Sequence, residues 1–167
     1  MKRRIKPSRR TLVLLALVTF FAISLKTGAT RAVFSDLESI RVFLQAGAWC
    51  TYTQGYWKNH PDAWPVEEIT IGGVIYTKEE AIGILQTAVG GDATFILAHQ
   101  LIPAKLDVLN GADPSAVETT IADADDWLAE HPLGSDPPKP ERQRGIDLAK
   151  TLDEYNNGVI GPGHCKD

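Results

Sequence analysis

Apolar and polar positions repeat with two different periods between residues 67 and 157, and these periods predict one hairpin and several helices. Residues 67–77, EEITIGGVIYT, place β-branched residues on both sides of Gly72-Gly73, which is typical of a β-hairpin with a two-residue turn. Farther along, apolar residues recur every three or four positions, a spacing that predicts helices. Four stretches show this spacing: residues 77–89, 93–111, 114–131 and 141–157.

Local signals mark where these helices begin. Thr77 and Glu80 have capping-box spacing, and Asp92 can cap the next helix. Asp113-Pro114 combines a capping residue with proline at the first helical position. The stretch 93–111 is apolar almost all round, which predicts a central, buried helix, and Pro103 is expected to kink or split it. The predicted fold is mostly α, with four to five helices and one small β-hairpin.

The first 32 residues have the features of a secretory signal. Residues 1–10 contain six basic residues and no acid, and residues 11–25 contain no charge. This order and the short apolar run are typical of a signal peptide rather than a stable membrane span, and cleavage is expected before Val33. An uncleaved signal acting as a membrane anchor and export by the twin-arginine route both remain alternatives. Residues 33–49 are then a connector, and residues 50–167 are the expected domain.

Removing the leader makes an already acidic protein, with a net charge of −4, more acidic. Residues 33–167 hold nine Lys or Arg and 21 Asp or Glu, which gives a net charge of −12 with neutral histidines. Since nucleic-acid binding normally requires a basic surface, such a partner is not expected. The composition favours a secreted, extracellular or cell-surface protein.

The two cysteines, Cys50 and Cys165, lie near the ends of the expected domain. In an exported protein an even pair predicts a disulfide, here one that closes nearly the whole domain. Metal ligation by the two thiolates is the alternative, but only His164 is adjacent as a further ligand.

Residues 28–47, which begin with a run of small residues, resemble the leader junction of a bacterial family of exported proteins, the camelysin and biofilm-matrix fibre group. The shared pattern is Phe34-Ser35-Asp36 with Glu38, followed by Phe43 and Ala46-Gly47. The resemblance implies an extracellular destination. It does not extend to that group's β-rich body, because this chain continues into predicted helices.

From Cys50 to Cys165 the chain resembles a second group, bacterial secreted modules with long opening and closing motifs. Residues 50–61 read CTYTQGYWKNHP, residues 97–106 read LAHQLIPAKL, and residues 155–165 read YNNGVIGPGHC. The resemblance implies a disulfide-closed extracytoplasmic module and no particular activity.

The aromatic stretch 50–65 has two interpretations. It could form a surface for sugar rings or for a partner's apolar face, with amide and imidazole groups as hydrogen-bonding partners. It could instead be an ordered loop that packs beneath the disulfide, and this structural interpretation is favoured. The candidate surface consists of Tyr52, Gln54, Tyr56, Trp57, Asn59, His60 and Trp64.

Metal chemistry is the alternative functional class. His60 and His164 each lie near one cysteine, so a bridge would bring them towards one another, and Asp62 could complete a zinc or copper site. His99, within the apolar helix, is expected to be a core histidine with satisfied hydrogen bonds. No catalytic motif is present, no catalytic residue is assigned and no cofactor is expected. The sequence therefore favours a structural, adhesive or binding role over catalysis, with a cell-envelope or matrix glycan or protein as partner.

Overall fold

The computed structural model describes residues 49–166, and within them five helices and one two-stranded hairpin follow one another along the chain. The predictions for the signal peptide and for most of the connector fall on residues 1–48, outside this range. The elements are α1 (Gln54–Asn59), a 3₁₀ turn (Pro61–Ala63), β1 (Glu68–Ile71), β2 (Val74–Thr77), α2 (Lys78–Gln86), α3 (Ala93–Leu109), α4 (Glu118–Glu130) and α5 (Lys139–Asn156).

The predicted hairpin is confirmed. β1 and β2 pair antiparallel, with Ile71 opposite Val74 at the turn. Gly72 and Gly73 have φ values of 57° and 76°, and positive φ at both central residues is the requirement of a type I′ turn. Ile69 and Ile71 point into the core, which fixes the face that the hairpin turns inward.

The outer edge of β1 is closed by side chains from two helices. Lys105 of α3 donates to the carbonyl of Thr70, and the amide of Gly72 donates to Asp125 of α4 over 2.9 Å. Lys105 and Asp125 also form an ion pair with each other. An unpaired strand edge is a template for pairing with another chain, so this ion pair satisfies backbone groups that would otherwise be open.

The start of α2 agrees with the sequence. Thr77 and Glu80 form the expected capping box, in which each side chain bonds the other residue's backbone amide. The helix ends at Gln86 rather than at the predicted residue 89. Thr87 has extended backbone dihedrals and its amide donates to the carbonyls of Gly83 and Ile84, which terminates the last turn.

The central helix is α3, as predicted. Asp92 caps it, and its middle is buried against the other helices, most extensively α5. Pro103 does not split it, so the helix is one continuous element. The carbonyl of His99 loses its usual donor there, but the buried apolar contacts on both sides of Pro103 outweigh one missing hydrogen bond.

Two further helices complete the core. α4 begins at Glu118, four residues later than predicted. Asp113 accepts from the amide of Ser115 as a cap would, but the backbone leaves the helical region at Val117, where φ is −138°, so residues 115–117 form only a turn. Within α5, Gly145 lies against the ring of the buried Trp127. The largest wholly buried apolar side chains are Trp57, Trp127, Tyr155, Leu85, Leu97, Leu101, Ile102, Leu106 and Leu152.

The predicted fold class is confirmed: the described domain is mostly helical, carries one small hairpin and has its ends joined by a disulfide. Within residues 49–166 no helix has both the length and the apolar composition needed to cross a bilayer.

Candidate functional site

The two ends of the domain meet at a covalent and hydrogen-bonded junction. Cys50 and Cys165 form the predicted disulfide, with Cα atoms 5.0 Å apart. Beside it, the amide of Thr51 donates to the carbonyl of Gly163 over 2.8 Å, and the amide of Cys165 donates back to Thr51 over 2.9 Å. These contacts fix the start of residues 51–64, which we call the anchored segment.

The anchored segment is more regular than the predicted loop. Thr53 accepts from the amide of Tyr56 and caps α1, and a 3₁₀ turn follows at Pro61–Ala63. A helix can form here because Thr53 supplies the cap, while the buried ring of Trp57 supplies the tertiary contact that so short a helix needs.

Three rings stack along the outer side of α1. Tyr52 and Tyr56 lie with centroids 3.9 Å apart and planes 14° from parallel, and Tyr56 and His60 follow at 4.4 Å and 24°. Their spacing of four residues places them on one face of the helical turn. The two tyrosines are half-buried and His60 is exposed. We call Tyr52, Tyr56 and His60 the ring stack.

The two tryptophans of the segment point the other way. Trp57 is 0 % exposed and Trp64 is 7 % exposed, and the indole N–H of Trp64 donates to the carbonyl of Trp57 over 2.8 Å. Tyr52 and Tyr56 both meet the Trp57 ring edge-on, at centroid distances of 5.7 and 5.3 Å. The ring stack therefore rests on a buried indole.

The seven residues of the predicted surface are thus divided by the fold. Trp57 and Trp64 are buried, and Gln54 donates inward to the carbonyl of Leu85 and to His99. The remaining four stay at the surface; Asn59 there donates to the carbonyl of Gly55 over 2.8 Å. Of the candidate surface, Trp57 and Trp64 are buried away from a partner, whereas Tyr52, Tyr56, Asn59 and His60 remain partly or fully exposed.

Asp107 of α3 accepts hydrogen bonds from the buried side of the anchored segment, although no sequence motif indicated this residue. Its Oδ1 accepts from the amide of Tyr52 over 2.9 Å and from the indole N–H of Trp57 over 3.0 Å. Burial raises the pKa of Asp107 to about 8, although these two hydrogen bonds act in the opposite direction. The only signal along the chain was one acidic residue between Leu106 and Val108 in a mostly apolar helix.

His99 is a second inward contact, and it is the satisfied core histidine that the sequence indicated. Its Nε2–H donates to the carbonyl of Ile84 over 2.8 Å, so its Nδ1 is the acceptor for the Gln54 amide 3.0 Å away. Burial lowers the pKa of His99, the bond to Ile84 opposes that shift, and the charge of Lys58 adds to it. The neutral imidazole is the form that fits this position.

The proposed metal ligands do not come together. His60 donates through Nδ1 to the carbonyl of Tyr56, and His164 donates through Nδ1 to the carbonyl of Thr51. Across residues 49–166, no group of three or more His, Cys, Asp or Glu side chains is arranged to hold a metal ion. The alternative site of His60, Asp62 and His164 is therefore not formed in this structure, because each histidine is directed to a backbone carbonyl of its own neighbourhood.

No protein-family model, curated protein or solved structure matches the chain. The resemblances to the biofilm-matrix fibre leader and to the secreted Cys-to-Cys modules stay predictions. The geometry of the anchored segment is therefore the basis for assigning a function.

Proposed function

We propose that this protein is an exported, non-catalytic binding module that acts outside the cytoplasm and contacts its partner through the ring stack. The main evidence for this proposal is that the rings of Tyr52, Tyr56 and His60 lie nearly parallel at the surface, while Trp57 and Trp64 are buried. The Cys50–Cys165 bridge supports an oxidising compartment, where such a bond persists.

The proposed partner is a glycan of the cell envelope or matrix. Sugar rings present flat C–H faces, and an aromatic stack with one exposed end gives such a face a place to pack. His60 supports this choice because its Nδ1–H is committed to the carbonyl of Tyr56, which leaves Nε2 as a hydrogen-bond acceptor for a hydroxyl group. A protein partner that uses the same surface is the competing outcome.

A non-catalytic role is supported by the placement of two side chains whose pKa values are shifted by burial, Asp107 and His99. Both are buried, and both bond to the anchored segment. Neither is open to a substrate, so their chemistry serves to hold the segment in place.

The binding test is an NMR titration of the exported, oxidised protein with chito-oligosaccharides, cello-oligosaccharides and muropeptides. We expect one of these glycans to shift the ring signals of Tyr52 and His60. His60→Ala should weaken that binding about fivefold, which corresponds to the ~1 kcal/mol of one stacking contact. Tyr76→Leu and His131→Ala, which alter a tyrosine and a histidine outside the ring stack, serve as matched controls.

Absence of any shift across the panel would contradict the glycan proposal, and so would an equal loss of binding in the Tyr76→Leu control. Export has a separate test. The mass of protein produced with its own leader should correspond to a chain that starts near Val33 and lacks two hydrogens, because the signal is removed and the disulfide is formed.

A further inference from the structure

The side chains from α3 and α4 close the outer edge of β1 only near the turn. Ile71 lies opposite Val74 across the two-residue turn, so this pair exchanges both backbone hydrogen bonds. Because such pairs alternate along an antiparallel ladder, Thr70 and Glu68 direct their amides and carbonyls away from β2. The contact from Lys105 to the carbonyl of Thr70 agrees with this direction.

Three of the outward-facing backbone groups are open. Lys105 donates to the carbonyl of Thr70, and the amide of Gly72 donates to Asp125. The amide of Thr70 and both the amide and the carbonyl of Glu68 have no hydrogen-bond partner within the described part of the chain. They form a donor, acceptor and donor along an extended strand, and a second extended backbone presents the complementary order of groups.

An apolar groove lies beside these open groups. It has a volume of about 330 Å³ and lies between β1, the end of α3 and the start of α4. Its apolar walls are formed by Val66, Ile69, Val108, Leu109 and Ile121. Leu109 is 53 % exposed there. Successive residues of a strand point to opposite faces, so a strand added to β1 would direct every second side chain into this groove.

The charge beside the groove indicates which strand fits it. Lys105 is paired with Asp125, whereas Glu68 forms no ion pair among residues 49–166. Residues opposite each other in neighbouring strands share a face, so a basic side chain opposite Glu68 would meet its carboxylate. A second copy of this acidic chain would instead bring another Glu68 to the same edge, and like charges there oppose pairing.

We propose that the outer edge of β1 at Glu68–Thr70 binds an extended segment of a partner protein, which adds as a third, antiparallel strand. The segment has the order apolar–basic–apolar. Its basic residue lies opposite Glu68, and its two apolar side chains enter the groove beside Leu109. This site is separate from the ring stack, because none of the three stacked rings lines the groove.

The test is an NMR titration of the exported, oxidised protein at pH 7 with the blocked pentapeptide Thr-Ile-Arg-Val-Thr. We expect the amide signals of Glu68 and Thr70 to shift more than that of Ile69, which faces Tyr76 within the hairpin. Methylation of the arginine backbone nitrogen removes the donor to the Glu68 carbonyl and should weaken binding about tenfold, the effect of one lost hydrogen bond. Methylation of the valine nitrogen, which points away from β1, is the matched control and should leave binding unchanged.

Protein variants test the charge and the groove separately. Glu68→Lys should reverse the preference, so that Thr-Ile-Glu-Val-Thr binds more tightly than the arginine peptide. Glu79→Lys, at an exposed position outside the groove, should retain the preference for arginine. Leu109→Ser should weaken binding about fivefold through lost apolar contact, whereas Val159→Ser, at an exposed position elsewhere, should not. All four positions are exposed, so the variants should fold.

Equal binding of the parent peptide and the peptide methylated at arginine would overturn the proposed strand pairing. Absence of shifts at Glu68 and Thr70 at millimolar peptide concentrations would overturn the proposal as a whole. Shifts of the same two amides that grow with protein concentration, without peptide, would identify a second copy as the occupant and would also overturn it. The glycan titration is followed at Tyr52 and His60, so either site can fail without the other.

Discussion

Removal of the Cys50–Cys165 bridge should lower the free energy of unfolding by about 2–5 kcal/mol, the range typical of native disulfides in small secreted domains. The upper end follows from the structure. The two cysteines are 115 positions apart, and in the chain-entropy relation a loop of that length removes about 16 cal/mol/K from the unfolded chain, or about 4.8 kcal/mol at 25 °C.

The native fold should survive this change. The hydrogen bonds between Thr51 and Gly163 and between Cys165 and Thr51 still join the two ends, and the Thr51 hydroxyl group donates to the carbonyl of Tyr155 over 2.9 Å. The loss therefore arises mainly in the unfolded state, which becomes less restricted and exposes more surface. We accordingly expect the urea m-value of the bridge-free protein to rise as its stability falls.

The assay is equilibrium urea unfolding at pH 7, followed by far-ultraviolet circular dichroism, of the oxidised protein and of the Cys50→Ser/Cys165→Ser double variant. A reducing agent should bring the natural protein to the stability of the double variant and leave the variant itself unchanged. A loss below about 1 kcal/mol, with an unchanged m-value, would refute the reasoning from loop length.

Two further predictions concern the core. Gly145→Ala should lower the free energy of unfolding in urea by about 1–3 kcal/mol, because a Cβ there would lie 2.7 Å from the Trp127 ring. At Gly83 a Cβ meets open space, so Gly83→Ala should raise the free energy of unfolding by up to about 1 kcal/mol. Equal effects of the two substitutions would contradict the packing argument. Asp107→Asn should change the pH dependence of stability. Because the folded pKa of Asp107, about 8, is above its unfolded value, the natural protein is favoured at low pH and loses this contribution as pH rises towards 8. The stability of the variant relative to the natural protein should therefore rise between pH 4 and 8, by at most ~1.4 kcal/mol per pH unit, and a difference independent of pH would show that Asp107 is charged when folded.

Local signals predicted the elements well. The hairpin follows from Gly72-Gly73, because only a residue without Cβ enters two successive positive-φ positions without strain. The start of α2 follows from Thr77 and Glu80, which satisfy the first turn without help from the rest of the fold. The late start of α4 was missed because Asp113 can cap either a helix or a turn, and the sequence does not show that the backbone leaves the helical region at Val117, where φ is −138°.

The site was less predictable from the same stretch of sequence. Composition identified residues 50–65 as important. It could not predict that Trp57 is buried and His60 exposed, since both follow Tyr56 within four positions. Their directions depend on where α3 lies, because the Trp57 indole N–H needs a buried acceptor and Asp107, fifty residues later, provides it. A sequence pattern does not give the distance in space between two residues so far apart along the chain.

The amino-acid sequence by itself determined the helix-and-hairpin composition of this protein, the acidity of residues 33–167 and the pairing of its two cysteines, because each depends on short spacings, charge or the number of thiols. Only the tertiary structure decided which aromatic rings are buried, that His60 and His164 bind separate backbone carbonyls, and that Asp107 and His99 hold one segment. The physical reason is that burial depends on what packs against a side chain, and the residues that contact Gln54 and His164 lie 45 and 113 positions away from them along the chain.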